Sequence, residues 1–176
     1  MVARKRRRLL TPLEEANQLT DESFIAAYLA EGLVTELDNA TTSRNDTLMS
    51  SRTDPAWQDE WEHPNTREEY QLGFVRASKL TEADLEACLA LVEETSRPDY
   101  ENSTKGWQPA KKRKEMKSAD LRYILVKDPE DTLRGFTSLM LTYEEGQPVV
   151  YCYEIHLKPE LQGCADHYRY LPAAET

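Results

Sequence analysis

The sequence predicts an α+β fold, and three observations carry the prediction. Over roughly residues 70–157 a strand, two helices and then three strands with short turns follow one another. That grouping is an α+β arrangement rather than an alternating one. Residues 149–157, Val-Val-Tyr-Cys-Tyr-Glu-Ile-His-Leu, make the best strand in the chain. They are rich in β-branched and aromatic residues and lie between Gly146-Gln147-Pro148 and Pro159. Helix starts marked by threonine caps precede that strand, at Thr11 and Thr81.

Taken in order, residues 1–10 read as a basic disordered arm and 11–38 as a helical extension. Thr11-Pro12-Leu13-Glu14 joins a hydroxyl cap, a proline at the first helical position and a glutamate three residues after the cap. It predicts a short helix to about Leu19. Asp21 is expected to cap a second helix through Glu31, with Phe24, Ile25, Tyr28 and Leu29 on one face and Gly32 as its stop. Residues 39–66 are dominated by Thr, Ser, Asn, Asp and Pro and read as a long polar loop, in which Trp57 and Trp61 pin one helical turn.

A strand is expected over about 70–78. Thr81-Glu82-Ala83-Asp84 then opens a helix to about Thr95, burying Leu85, Cys88, Leu89 and Val92. Residues 98–109 read as a loop holding Tyr100 and Trp107, and 110–117 as a short basic helix. Strands follow over 121–126 and 134–143, the second closing a hairpin through Glu144–Pro148 into the strand 149–157.

Composition narrows the class. No apolar run approaches the length of a membrane span. Three scattered cysteines, Cys88, Cys152 and Cys164, form neither a disulfide framework nor a zinc site, and a reducing compartment is expected. The net charge is -10, yet residues 4–8 are all basic. That block reads equally as a nuclear-localisation or nucleic-acid patch and as a solvated tail. From Asp21 to Glu69 there are twelve Asp/Glu against three Arg. This balance disfavours general DNA binding and suits a basic peptide, or simply keeps a loop-rich segment soluble.

On the last strand, side chains alternate between faces. Tyr151, Tyr153, Ile155 and Leu157 are expected on one side, and Cys152, Glu154 and His156 on the other. A carboxylate in an apolar run is costly to bury unless paired or protonated, which makes Glu154 the first candidate for chemistry. The plain alternative is a solvated face on which Glu154 and His156 point at water.

Three stretches carry a resemblance to a known family. They are Leu91-Val92-Glu93-Glu94-Thr95-Ser96 with Tyr100-Glu101 and Gly106-Trp107; Lys111-Lys112-Arg113-Lys114-Glu115-Met116 with Tyr123-Ile124-Leu125; and residues 150–157. Across roughly residues 68–163 the chain resembles the GNAT acyltransferases, and among them the histone-specific N-alpha-acetyltransferases (NatD type). The resemblance implies a GNAT domain over 67–163 and acetyl transfer from acetyl-CoA to the N-terminal Ser of histones that begin Ser-Gly-Arg-Gly. Glu154 would be the general base, its proton affinity raised if it sits among Cys152 and other apolar groups. Tyr153 would orient the amine or relay a proton. Main-chain groups of Ile155, His156 and Leu157, with Gln162 and Gly163 of a phosphate loop, would hold the co-substrate. Tyr100, Glu144, Tyr151 and Tyr153 would bind the peptide, Glu144 through the substrate arginine. No metal is implied. Histone tails are the expected partners, with no membrane or direct nucleic-acid contact, and a monomer in nucleus and cytoplasm is expected.

The chain departs from the family pattern at Thr142, where some members carry an acid, and at Lys105, where some carry an aromatic. After Gln162-Gly163-Cys164 comes Ala165-Asp166-His167, an acidic run where phosphates would dock. Residues 164–176 therefore read as a divergent tail, and the chain as a C-terminally truncated or mis-spliced member with an incomplete fold and weakened acetyl-CoA binding. Two rival readings stay open: another GNAT amine acetyltransferase, and an inactive form that binds basic tails without catalysis.

Overall fold

A computed structural model describes residues 9–29 and 57–163. Residues 1–8 of the basic arm, residues 30–38 of the helical extension with the expected stop at Gly32, most of the polar loop and the tail at 164–176 lie outside the described residues. The architecture is α+β. Helices α1 (Pro12–Gln18), α2 (Asp21–Tyr28), α3 (Glu82–Asn102) and α4 (Pro109–Met116) pack on an antiparallel sheet of order β1-β2-β3-β4-β5. The strands are β1 (Glu60–Glu62), β2 (Glu69–Arg76), β3 (Leu121–Lys127), β4 (Leu133–Glu144) and β5 (Gln147–Leu157).

The caps behave as their chemistry requires. Thr11 accepts from the Glu14 amide at 3.2 Å, while Glu14 reaches back to the Thr11 amide at 2.8 Å. Thr81 caps α3 through the Asp84 amide at 3.0 Å. Thr20, not Asp21, caps α2, because its hydroxyl accepts from the Ser23 amide. Asp21 instead takes Arg76 at 2.8 Å and Lys79 at 3.2 Å, tying α2 to the end of β2.

Three further expectations are corrected. The sheet gains β1 inside the stretch read as a loop, and Trp61 lies on that strand opposite Tyr70 rather than on a helical turn. The strand expected over 70–78 stops at Arg76, after which Ala77–Lys79 forms a single 3-10 turn. Helix α3 runs on through Pro98 to Asn102, where a loop was expected. A proline inside a helix removes one backbone bond. Here Arg97 spans the proline, holding Glu93 at 2.6 Å and Glu101 at 2.7 Å, and Tyr100 beyond it packs on Trp107.

Two apolar layers flank the sheet. On one face α3 and α4 bury Leu85, Cys88, Val92 and Met116 against Tyr123, Leu125 and Phe136. On the other, α1 and α2 bury Ala16 and Phe24 against Ile124, Leu139 and Leu141. Arg122 crosses to the second layer, stacking on Phe24 at 4.1 Å and donating to Asn17 Oδ1 at 3.0 Å. The β4–β5 hairpin turns on Glu145 and Gly146, both with positive φ (48° and 83°), the two-residue geometry that matches strand twist.

Candidate active site

The site begins with a break in β5. Ser138 pairs with Glu154, but Leu139 pairs with Cys152, so Tyr153 is an extra residue in the strand. Such a bulge shifts the side-chain alternation. Cys152 stays with Val150 in the α1–α2 layer, whereas Glu154 and His156 turn to the α3–α4 face beside Ser138 and Phe136. The expected shared face for Cys152, Glu154 and His156 is therefore overturned, and Glu154 does not sit among apolar groups with Cys152. Tyr151, Tyr153 and Ile155 are exposed, at 48%, 39% and 45%, and the bulge also overturns their expected shared side: Tyr151 lies opposite Met140 on the Ser138 face, while Ile155 lies opposite Thr137 on the other. Thr137, buried on β4, donates to the Glu154 carbonyl at 2.9 Å and so ties down the bulged backbone.

Glu154 is met by a lysine. Helix α4 begins at Pro109 and turns Lys112 and Met116, one helical turn apart, toward the sheet. Lys112 is ion-paired with Glu154 and with Glu115, the latter at 2.8 Å, and its side chain is only 5% exposed. The Glu154 side chain is 12% exposed. Tyr153 Oη donates to Glu115 at 3.0 Å. The Lys112 ammonium also lies 5.6 Å from the Tyr100 ring centre and 5.9 Å from that of Tyr153. Two carboxylates and two aromatic rings thus converge on one ammonium.

Electrostatics follow from these contacts. Burial alone would raise the Glu115 carboxyl, but hydrogen bonds from Lys112 and Tyr153 override it and hold the group below the usual range. The Tyr153 phenol is pushed up by burial and by its bond to Glu115. His156 is driven down to about 4 by burial and by the nearby Lys112 charge. It is therefore neutral near pH 7. Thr95 Oγ1 donates to the Leu91 carbonyl at 2.8 Å, so the 2.7 Å contact with His156 Nδ1 has the imidazole donating to Thr95.

A groove of about 430 Å³ opens beside this cluster, lined by Tyr100, Trp107, Lys112 and Glu115 among others. Tyr100 reaches it from the last turns of α3, not from a loop. The other predicted residues lie around it in different ways. Glu144 ends β4 on the face shared by Ser138 and Met140, about 20 Å from Ser138 at 3.3 Å per residue. Gln162 donates to the Leu157 carbonyl at 3.0 Å, and Gly163 has a φ of 74°. The His156 side chain is turned inward onto Thr95 and Phe136. Ser138 Oγ, fully buried beside Glu154, has no hydrogen-bond partner among the described residues.

Sequence reasoning missed Lys112 and Glu115 as site residues. Within a basic run a lysine reads as solvated. The signal that identifies it is the four-residue spacing to Met116, which puts Lys112 on the buried face.

Among the described residues no helix is long and apolar enough to cross a membrane, and no group of three or more side chains is arranged to hold a metal. No family model matches the chain. Three of the solved structures to which the chain bears a partial likeness are the following. One is a GCN5-related glucosamine N-acetyltransferase region of a fungal multi-domain GH3 beta-N-acetylglucosaminidase, 13% identical over 58% of this chain and 12% of that one, with a TM-score of 0.43. The second is an aminoglycoside acetyltransferase from an uncultured soil metagenomic sample, 11% identical over 57% of this chain and 69% of that one, TM-score 0.38. The third is a candidate acetyl transferase from Pyrococcus furiosus, 14% identical over 57% and 70%, TM-score 0.40.

Proposed function

We propose that the chain is a GNAT-type acyltransferase that moves an acetyl group directly from acetyl-CoA to a primary amine. The observation that carries this reading is Glu154. A bulge turns that carboxylate inward, and it meets an ammonium at the wall of an open groove. An α-amine has an ordinary pKa near 7.7–8.0, so much of it must lose a proton before it can react at neutral pH. Glu154, the carboxylate that holds the Lys112 ammonium, is the base assigned to that proton. Tyr153 and Glu115 orient the amine through their shared hydrogen bond, and Tyr100 forms the aromatic wall.

The residues fit the pantetheine arm of acetyl-CoA. Among the described residues β5 has no strand on its outer side, so the main-chain groups of Ile155 and the Leu157 amide are open to amide partners, whereas those of His156 face Phe136 and the Leu157 carbonyl takes Gln162. Bound acetyl-CoA supplies the thioester carbon that the amine attacks.

The finer proposal is that the acceptor is the α-amine of a histone tail beginning Ser-Gly-Arg-Gly. Glu144 supports it by sharing a face with the Glu154 pair, at a separation that an extended tripeptide of roughly 10 Å plus an arginine side chain approaches. The acidic surface and a nuclear and cytoplasmic monomer belong to the same proposal. The test is incubation with acetyl-CoA and two peptides, one with a free Ser-Gly-Arg-Gly terminus and one with a blocked terminus and an internal lysine. A mass gain on the N-terminal fragment of the first is expected. A gain only on the second would replace the α-amine by a side-chain amine. A gain on neither, with peptide binding retained in Glu154→Gln, would favour a tail-binding module.

A further inference from the structure

The four groups around Lys112 are those an incoming ammonium would need: the base Glu154, the second carboxylate Glu115, and the rings of Tyr100 and Tyr153. Lys112 also lines the groove itself. Its neighbours Lys111 and Lys114 are exposed on the same helix; Lys111 also lines the groove, but the ion pairs with Glu154 and Glu115 and the two ring contacts belong to Lys112. We propose that Lys112 Nζ occupies the place of the acceptor amine and is itself an acetylation site, modified within the chain that carries it. This inference rests on the acyl-transfer reading above.

The step balances without any further reagent. Glu154 takes one proton from the Lys112 ammonium. The freed nitrogen lone pair forms a bond to the thioester carbon of acetyl-CoA, and the carbon–sulfur bond breaks. A second nitrogen proton passes to the departing sulfur. The products are Nε-acetyl-Lys112, carrying its one remaining proton, and free CoA. Glu154 then returns its proton to water. The neutral product no longer pairs with Glu154.

The test uses the full chain with acetyl-CoA, followed by a protease that cuts after glutamate. Cleavage after Glu101 and Glu115 releases residues 102–115, with Lys105, Lys111, Lys112 and Lys114 in one fragment that can be sequenced by mass spectrometry. Lys112 is expected to be acetylated at least about tenfold ahead of Lys111 and Lys114, the opposite of the order that solvent exposure gives. Glu154→Gln should reduce modification of Lys112 by about 100-fold or more while leaving Lys114, which does not line the groove, unchanged as the reporter of solution chemistry. A Ser-Gly-Arg-Gly peptide should protect Lys112.

A second readout uses the unaltered chain without acetyl-CoA. Reductive methylation should label Lys112 slowly compared with Lys111, and faster once the peptide has displaced it from the cluster. If the peptide is acetylated but Lys112 is modified no faster than its neighbours, or its reactivity ignores the peptide, the inference fails and the transferase reading stands. If neither the peptide nor Lys112 gains an acetyl group, both fail.

Discussion

Replacing Lys112 by methionine removes the only cation in contact with Glu154 among the described residues while keeping an unbranched side chain one atom shorter. Both partners are deeply placed, at 5% and 12% side-chain exposure. Breaking a buried pair from one side leaves an uncompensated charge, at a cost of about 3–5 kcal/mol. Glu154→Gln is milder, because Glu115 still holds Lys112; about 2–3 kcal/mol is expected once that remaining contact is credited. The double variant Lys112→Met with Glu154→Gln leaves no buried charge in the pair, and replacing a pair by neutral groups is often close to neutral. Its total should therefore be about 0–2 kcal/mol, well below the sum of the single changes. For a chain of this size each kcal/mol moves the melting temperature by about 2–4 °C, so Lys112→Met alone should lower it by about 6–20 °C. Urea unfolding of the wild type and the three variants at pH 7 measures the coupling directly. Additivity within about 0.5 kcal/mol would show that Lys112 and Glu154 do not form the pair on which the site is built.

Other perturbations test the supports of the site. His156 has a depressed folded value of about 4, so the unfolded chain binds the extra proton first and stability is lost as pH falls toward that value. Between pH 7 and pH 5 this amounts to about 2 kcal/mol, and His156→Gln should flatten that part of the stability–pH curve; an unchanged slope would contradict the buried neutral imidazole. Gly135→Ala would place a Cβ 2.6 Å from Leu157 Cδ2 and 3.3 Å from the His156 carbonyl, so it should cost about 1–3 kcal/mol in urea unfolding and disturb β5. Tyr123→Phe removes a buried hydroxyl that donates to the Met116 carbonyl at 2.7 Å, and unfolding should show a loss of about 1–3 kcal/mol with α4 loosened at its end.

Much of the frame was legible because local chemistry decides it. Thr11 with Glu14 and Thr81 with Asp84 specify helix starts whatever packs around them. Glu145-Gly146 specifies a tight hairpin, since both positions need positive φ. The apolar pattern of β3, buried along nearly its whole length, reads directly as a central strand. What was not legible depends on distant partners. Pro98 signals a helix end, and only Arg97 bridging Glu93 and Glu101, with Tyr100 held by Trp107, carries α3 past it. β1 has a composition that suits a loop, and it exists because Glu60–Glu62 pairs with β2.

The site shows the same division. Glu154 stood out as a carboxylate in an apolar run, and Tyr153 and Tyr100 were marked as its neighbours by resemblance. The bulge at Tyr153 left no glycine to mark it, yet it decides which face Glu154 takes. Lys112 was hidden in a run of like charges, and its burial depends on Met116 anchoring α4 beneath it. Glu154, Tyr153 and Tyr100 are named from the sequence and meet around Lys112 in the structure, while the Lys112 contact itself was not legible.

The central claim is that Glu154 serves as the base for acetyl transfer to an amine. It is tested most directly by incubating the 176-residue chain and its Glu154→Gln variant with acetyl-CoA and a peptide beginning Ser-Gly-Arg-Gly, and reading the peptide mass over time. Acetylation of the peptide's N-terminal fragment by the wild type, slowed by about 100-fold or more in the variant while peptide binding persists, is the predicted result. Equal rates in the two proteins, or binding with no transfer by either, would contradict it.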